Sequence, residues 1–95
     1  MGEYRLSPLA EQDLEDIWLY TVERWSEAQA DSYYVDILDA MKKLSMGERR
    51  GRPATTREGY LKYAVGQHFV FFRQSDNRID VIRILHQSMD IERHL

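Results

Sequence analysis

The chain has 95 residues, the size of one compact domain, and we treat residues 1–95 as a single unit. Its composition, 43% hydrophobic and 31% charged, is that of a globular protein. No apolar run approaches the roughly 20 residues that a membrane-spanning helix needs. The absence of cysteine excludes disulfides and thiolate metal sites. The net charge of −3 argues against strong nucleic-acid binding by the chain alone. It divides into −8 for residues 1–40 and +5 for residues 41–95, and the basic half could meet an acidic partner or nucleic acid, or serve only solubility.

The start of the chain predicts a short strand and a first helix. Residues 4–6 form the strand, and Ser7-Pro8 then has the form of a helix N-cap followed by proline at the first helical position, where its missing N–H costs nothing. Apolar residues recur at helical spacing over about residues 8–25. The residues expected to face the core are Ala10, Leu14, Ile17, Trp18, Thr21 and Trp25.

A second helix follows almost without a connection. Ser26 and Gln29 match a capping box, and Gly47 is a suitable residue to end the helix. The short connection predicts an antiparallel helix hairpin. The second apolar stripe consists of Ala30, Tyr34, Ile37, Leu38, Met41 and Leu44.

The second half of the chain predicts an antiparallel sheet. Residues 47–59 are polar and basic, and we interpret them as an ordered loop. Three strands are then expected, at about residues 60–65, 69–74 and 79–85. Gly66 marks the first turn and Asp76-Asn77 the second, because these residue types tolerate positive φ. Helices first and antiparallel strands afterwards indicate an α+β fold, with the helix hairpin packed on one face of the sheet.

The turn at Asp76-Asn77 fixes a predicted register for the last two strands. The expected pairs are Arg73 with Asp80, Phe72 with Val81, Phe71 with Ile82, and Val70 with Arg83. One face then carries Phe69, Phe71, Ile82 and Ile84, and the other carries Val70, Phe72, Ile79, Val81, Arg83 and Leu85. Both faces are apolar, so we expect the face with Val70 and Phe72 to lie away from the helices and to be covered by the chain's own tail, a dimer mate or another protein.

Charged side chains in this hairpin have both structural and functional interpretations. We favour a cross-strand salt bridge between Arg73 and Asp80. Arg83 either lies along the sheet or contacts a partner. His86 has the opposite parity, so it should not share a site with Arg83 unless a bulge intervenes. No catalytic triad, metal cluster or phosphate-binding glycine loop is evident, and the sequence indicates neither cofactor nor metal.

Three stretches resemble a known family over essentially the whole chain. They are "YRLSPLAEQDLEDIWLY", "GRPATTREGYLKYAVGQHFVFFR" and "IDVIRILHQSMDIERHL". They resemble ParE toxins of the RelE/ParE superfamily, and the ending, an arginine, two aliphatic residues, His-Gln and Met-Asp before a final His-Leu, is the most specific part.

The resemblance implies a bacterial type II toxin with a RelE/ParE-like fold, in the cytoplasm, serving plasmid maintenance or a stress response. It implies DNA gyrase as the target and a ParD-like antitoxin that covers the toxin's helices and sheet. It implies no direct DNA binding by the toxin alone. The alternative is a ribosome-dependent mRNA endoribonuclease of the RelE type, and a third possibility is a non-toxic module that binds antitoxins.

These hypotheses assign different roles to individual residues. The leading one requires no catalytic residue, whereas a ribonuclease would use Lys62, Arg73, Arg83 and His86. Gln87 argues against the ribonuclease, because it stands where such enzymes have an aromatic residue and cannot exchange a proton at neutral pH. The predicted antitoxin contacts are Val70, Phe72, Val81, Arg83 and Leu85. The predicted target contacts, on the tail of residues 87–95, are Met89, Ile91, Arg93 and His94.

Overall fold

A computed structural model describes residues 2–89 and 91–95, without the side chain of Glu92. Two helices pack on one face of a five-stranded mixed sheet with the strand order β1-β5-β4-β3-β2. This arrangement confirms the predicted α+β class. The elements are β1 (Glu3–Leu6), α1 (Pro8–Arg24), α2 (Glu27–Ser45), β2 (Arg52–Pro53), β3 (Leu61–Val65), β4 (His68–Ser75), β5 (Arg78–His86) and the short α3 (Ile91–His94).

The two helices begin where the sequence predicts them. The Ser7 side chain accepts a hydrogen bond from the backbone N–H of Ala10 at 3.0 Å, and the Ser26 side chain accepts one from Gln29 at 3.0 Å. Each bond satisfies an N–H that a helix start would otherwise leave without a partner. The Ser7 hydroxyl also donates to the carbonyl of Ile82 at 2.7 Å, which ties the start of α1 to β5.

The sheet joins the two ends of the chain. Strand β1 pairs in parallel with β5, with Glu3 opposite Arg78 and Leu6 opposite Val81, and the remaining neighbours are antiparallel. The predicted turns are confirmed, because Gly66 and Asn77 adopt φ values of 55° and 60°. The two-residue strand β2, which pairs with Leu61 and Lys62 of β3, was not predicted from the sequence.

The predicted hairpin register is correct near the turn and wrong beyond it. Arg73 does lie opposite Asp80 and Phe72 opposite Val81, but Phe71 pairs with Arg83 and Val70 with Ile84. Ile82 is therefore an extra residue on β5, a β-bulge that reverses the sides of all later residues. Ile84 moves to the helix face, whereas Leu85 and Arg83 move to the opposite face with Phe71.

The helices cover the face that the sequence analysis left open. The main core joins helix residues to sheet residues, which are Ala10, Leu14, Ile17, Ile37, Met41, Leu44, Val70, Phe72, Ile79, Val81 and Ile84. A smaller cluster on the opposite face consists of Phe71, Leu85 and Ala54, with Tyr60, Phe69, Ile91 and Leu95 packed against it. Of the three covers considered from the sequence, the chain's own tail covers part of this opposite face, and the segment between β2 and β3 adds Ala54 and Tyr60.

Several helix aromatics that the apolar stripes assigned to the core lie at the surface. Trp25 is 68% exposed and Tyr34 is 37% exposed. The expected Arg73–Asp80 salt bridge is also wrong: Asp80 pairs with Arg78 at 3.3 Å, whereas the Arg73 guanidinium lies 6.0 Å from the centroid of Tyr60.

Within the described residues, neither long helix is apolar enough to span a bilayer.

Candidate functional site

The four residues that a ribonuclease would use lie on two faces of the sheet. Lys62 and Arg83 both lie opposite Phe71, and Arg73 contacts Tyr60, so these three belong to the face away from the helices. His86 lies two residues after Ile84 and belongs to the helix face. This confirms the expectation that Arg83 and His86 point to different sides. The fold does not bring the four groups together around one reacting phosphate.

Arg83 is held within the chain by a carboxylate of the first helix. Its Nε donates to Asp13 Oδ2 at 2.7 Å, and its Nη2 donates to Asp13 Oδ1 at 2.8 Å. Its Nη1 donates to the carbonyl of His94 at 3.1 Å. The two side chains are 15% and 11% exposed, and the hydrogen bonding with Asp13 raises the pKa of Arg83. A ligand could reach this guanidinium only by breaking its bidentate ion pair with Asp13.

Asp13 has a second role at the edge of the sheet. Its Oδ2 also accepts a hydrogen bond from the backbone N–H of Ile84 at 3.0 Å. Strand β1 covers β5 only as far as Val81, so this N–H lies beyond the paired segment. No local sequence pattern indicates this contact, because it joins residues 71 positions apart.

His86 instead lines a cleft between the helix hairpin and the sheet. The cleft has a volume of about 530 Å³. Across the sheet, His86 pairs with His68, and their rings meet edge to face with centroids 5.1 Å apart. The exposed side chains of Tyr20 and Trp25 belong to the same cleft. It therefore combines two imidazoles with aromatic side chains.

The Tyr33 hydroxyl indicates which ring nitrogen of His68 carries the proton. This oxygen accepts from Gln67 N at 3.2 Å and lies 2.8 Å from the carbonyl of Val65 and 2.7 Å from His68 Nδ1. Because a phenol has one proton, which it donates to Val65, we assign the donating proton to His68 Nδ1. Burial, followed by the neighbouring His86, lowers the pKa of His68 to about 4, although Asp13 opposes the shift. Burial raises the pKa of Tyr33.

These shifts limit the proton chemistry available in the cleft. At neutral pH, His68 is an uncharged imidazole and Tyr33 an uncharged phenol. A general acid or base works best when its pKa lies near the working pH, and neither of these two groups meets that condition. His86 Nδ1 accepts from the backbone N–H of Ser88 at 3.1 Å, a contact that closes the turn after β5. The cleft suits the binding of a side chain better than proton transfer by His68.

A second surface lies between the outer faces of the two helices. This helix groove has a volume of about 430 Å³ and is lined by Glu15, Trp18, Asp31, Tyr34 and Val35. Trp18 Nε1 donates to Asp31 Oδ1 at 2.9 Å across the hairpin, and Val35 is 60% exposed. The groove thus offers apolar and aromatic surface beside two acids. The sequence offered an indication of this surface, since Tyr34 and Val35 are adjacent apolar residues of α2 and cannot both face the protein core.

Comparison with known proteins decides the family. The family described as the ParE toxin of the type II toxin–antitoxin system parDE matches residues 4–91. Toxin ParE1 of Mycobacterium tuberculosis is 40% identical over 96 residues, covering 99% of this chain and 98% of the relative. Toxin ParE1 of Caulobacter vibrioides is also 40% identical, over 100% of this chain and 99% of its own.

The chain belongs to the ParE toxin family. It is thus the toxin of a bacterial type II toxin–antitoxin system. A solved structure of a chromosomal ParDE system from P. aeruginosa has the same fold, with a TM-score of 0.76 at 22% identity, covering 90% of this chain and 95% of that chain. A YoeB/ParE toxin from Agrobacterium tumefaciens gives a TM-score of 0.62 at 19% identity over 92% of this chain and 99% of that chain.

The antitoxin contacts predicted for this ParE toxin need correction. Val70, Phe72 and Val81 are at most 1% exposed, because the helices cover the face that the sequence analysis left open. Leu85 is 1% exposed beneath the tail and middle loop, and Arg83 is paired with Asp13. In the folded toxin, the four apolar side chains offer almost no surface to a second protein.

The residues predicted to contact the target remain partly accessible. Met89 is 43% exposed, and Arg93 and His94 are exposed as well. Ile91 is half-buried, because it packs with Leu95 against the smaller cluster around Phe71. The His94 carbonyl accepts from Arg83, and the Leu95 carbonyl accepts from Arg57. The tail therefore has a packing role in addition to its exposed residues.

Proposed function

We propose that this ParE toxin acts in the cytoplasm by inhibiting DNA gyrase, without cleaving RNA itself, and that a ParD-like antitoxin neutralises it. The observation that carries the proposal is the full-length similarity to two proteins called Toxin ParE1, together with the match to the parDE family over residues 4–91. The placement of Lys62, Arg73 and Arg83 on one face and His86 on the other argues against a ribonuclease site. Inhibition by occupancy of a target needs no proton transfer.

The first experiment compares gyrase inhibition with RNA cleavage in parallel. Purified toxin and its His86→Ala variant are added to a DNA supercoiling reaction and to a ribosome-dependent mRNA cleavage reaction. We expect wild-type toxin to inhibit supercoiling and His86→Ala to retain most of that inhibition. A ribonuclease that used His86 as its acid or base would lose about 10²–10⁴-fold in cleavage rate.

A tail variant supplies the matched comparison. Met89→Glu changes an exposed residue three positions from His86, and we expect it to weaken gyrase inhibition while the protein keeps its melting temperature. Wild-type cleavage of ribosome-bound mRNA that His86→Ala abolishes, with no effect on gyrase, would establish the RelE-type alternative instead. Inactivity of wild-type toxin in both reactions would favour the non-toxic antitoxin-binding module.

The antitoxin is expected to occupy the helix groove rather than the buried sheet face. Trp18, Tyr34 and Val35 supply apolar and aromatic contact area, and aromatic residues are common among the residues that dominate binding energy. Glu15 and Asp31 at the same groove favour a partner that carries basic residues among its apolar ones. A partner helix laid between the two helices would meet both features.

A pair of matched substitutions tests the groove. Val35→Glu places a charge in the groove, and we expect it to weaken antitoxin binding by about tenfold or more, which corresponds to about 1.4 kcal/mol. Leu9→Glu is the control, because Leu9 is 58% exposed against 60% for Val35 and does not line the groove. Isothermal titration with the purified antitoxin measures both. Equal weakening by the two variants, or none by Val35→Glu, would reject the groove.

A further inference from the structure

Two cations face each other at the open edge of the sheet. Arg52 of β2 lies directly opposite Lys62 of β3 in an antiparallel pair. Arg50 joins them around a small cleft of about 190 Å³, which is also lined by Tyr63, Ala64 and Phe69. The Lys62 ammonium lies 4.7 Å from the centroid of Phe69. We call Arg50, Arg52 and Lys62 the edge cluster.

The edge cluster has an unbalanced positive charge. In the described part of the chain, no carboxylate forms a salt bridge with any of its three members. Like charges placed directly opposite on neighbouring strands are destabilising, and the pairing of Arg52 with Lys62 is of that kind. An anion bound between them would remove this repulsion, so the arrangement favours a ligand with closely spaced negative charges.

Packing at Gly51 fixes the backbone that carries the edge cluster before any ligand arrives. A Cβ atom added at Gly51 would lie 2.5 Å from Cζ of Phe72 and 3.2 Å from Cβ of Leu61. Only glycine therefore lets the chain between Arg50 and Arg52 approach the buried ring. The next residue, Pro53, has a fixed φ and extends the two-residue strand. A binding site that is already rigid loses less conformational entropy when its ligand binds.

The distribution of charge favours phosphate over a carboxylate-bearing protein surface. A DNA strand carries one negative charge for about every 3.4 Å of the helix axis, so adjacent phosphates can meet two or three cations of one cleft. The acids concentrated in residues 1–40 lie mainly on the helices, on the other face of the sheet, and salt screens charges beyond about 8 Å under physiological conditions. The net charge of −3 still disfavours binding of free toxin to DNA.

We propose that the edge cluster binds the phosphodiester backbone of the DNA duplex that gyrase holds, so that the toxin contacts both the enzyme and its DNA. The inference rests on the proposed function, because gyrase brings the duplex to a toxin that binds DNA only weakly by itself. The two contacts act as linked sites, each raising the effective concentration of the other. The edge cluster thus adds affinity for the gyrase–DNA complex over gyrase alone.

The test measures binding of full-length toxin to gyrase with and without a DNA duplex, from about 50 to 200 mM salt. We expect wild-type toxin to bind the gyrase–DNA complex at least about tenfold more tightly than gyrase alone. The Arg50→Ala/Arg52→Ala variant should bind gyrase alone as wild type does and lose most of that gain. Its salt dependence should be shallower by about two units in the slope of log K against log salt, for two lost phosphate contacts.

Arg49→Ala is the matched control, since Arg49 is in the same loop, is exposed, and does not line the cleft. It should keep the DNA-dependent gain, and equal losses in Arg49→Ala and the double variant would overturn the proposal. Wild-type toxin that inhibits supercoiling but binds gyrase equally with and without DNA would refute the edge cluster and leave the proposed function standing. Toxin that neither binds nor inhibits gyrase would refute both. Single-stranded RNA that displaces the duplex at equal concentration would overturn the choice of DNA.

Discussion

Removing the Arg83 guanidinium should cost this domain a large fraction of its stability. In an Arg83→Ala variant, the Asp13 carboxylate, only 11% exposed, would lose both of its bonds to the guanidinium. Loss of one partner from a buried ion pair costs about 3–5 kcal/mol. Because Ile84 still donates to Asp13 and the pair is not fully buried, we expect the lower end, about 3 kcal/mol. An Arg83→Glu variant would place a second carboxylate beside Asp13 in place of its ion-pair partner.

Thermal and urea unfolding followed by circular dichroism measures this loss. For a domain of this size, about 3 kcal/mol lowers the melting temperature by roughly 12–24 °C. Lys43→Ala is the control, because it removes an exposed salt bridge to Asp39 within α2, for which we expect about 0.3–0.5 kcal/mol. The double variant Asp13→Asn/Arg83→Met leaves no unpaired charge and should melt above Arg83→Ala. An Arg83→Ala protein that melts within about 2 °C of the Lys43→Ala protein would refute the reasoning.

Two further predictions concern the cleft and the tail. The pKa of His68 is about 4 in the folded state and about 6.5 in the unfolded chain, so the unfolded state binds more protons between these pH values. The contribution of neutral His68 to the free energy of unfolding is therefore complete above pH 6.5 and declines as the pH falls toward 4. In a His68→Gln variant, the free energy of unfolding in urea should depend less on pH across that interval. An unchanged slope against pH would contradict the assignment. Truncation after Ser88 removes Ile91 and Leu95 and uncovers Phe71, which should cost about 2–4 kcal/mol; a truncated protein that melts like wild type would show that this packing contributes little.

Local signals in the sequence were sufficient to predict the elements and their order. Ser7 and Ser26 cap the helices because their short hydroxyl side chains reach the N–H groups of the first turn. Gly66 and Asn77 occupy turns because both tolerate positive φ. Each of these features depends on residues within a few positions of one another, so it can be identified without knowledge of the tertiary structure.

Errors arose where distant residues decide the conformation. The bulge at Ile82 lies where the Ser7 hydroxyl bonds the Ile82 carbonyl, a contact across 75 positions that no local pattern indicates. That one residue reversed the predicted sides of Arg83, Ile84 and Leu85. Val70, Phe72 and Val81 were misassigned for another reason, since the helices pack on their face of the sheet. The Asp13–Arg83 pair was missed for the same reason, since the partners lie 70 positions apart.

The sequence predicted which residues would not share a site, but not where the candidate binding surfaces lie. The opposite parity of Arg83 and His86 follows from their spacing and survives the bulge, because the bulge precedes both residues. The helix groove and the edge cluster each depend on two elements that meet in the fold. In the edge cluster, Arg52 and Lys62 become neighbours only because the loop after α2 returns as β2.

The parallel pairing of β1 with β5 has a consequence for how the toxin is made. The first strand can complete the sheet only after the last has been synthesised, since Glu3 pairs with Arg78. Closing so long a loop is entropically costly and slows folding, whereas the helix hairpin forms from local contacts. During translation, the hairpin therefore emerges with its apolar stripe uncovered. We expect a nascent chain to become a toxin only after β5 has left the ribosome, and until then to need an antitoxin or a chaperone at the hairpin more than the folded domain does.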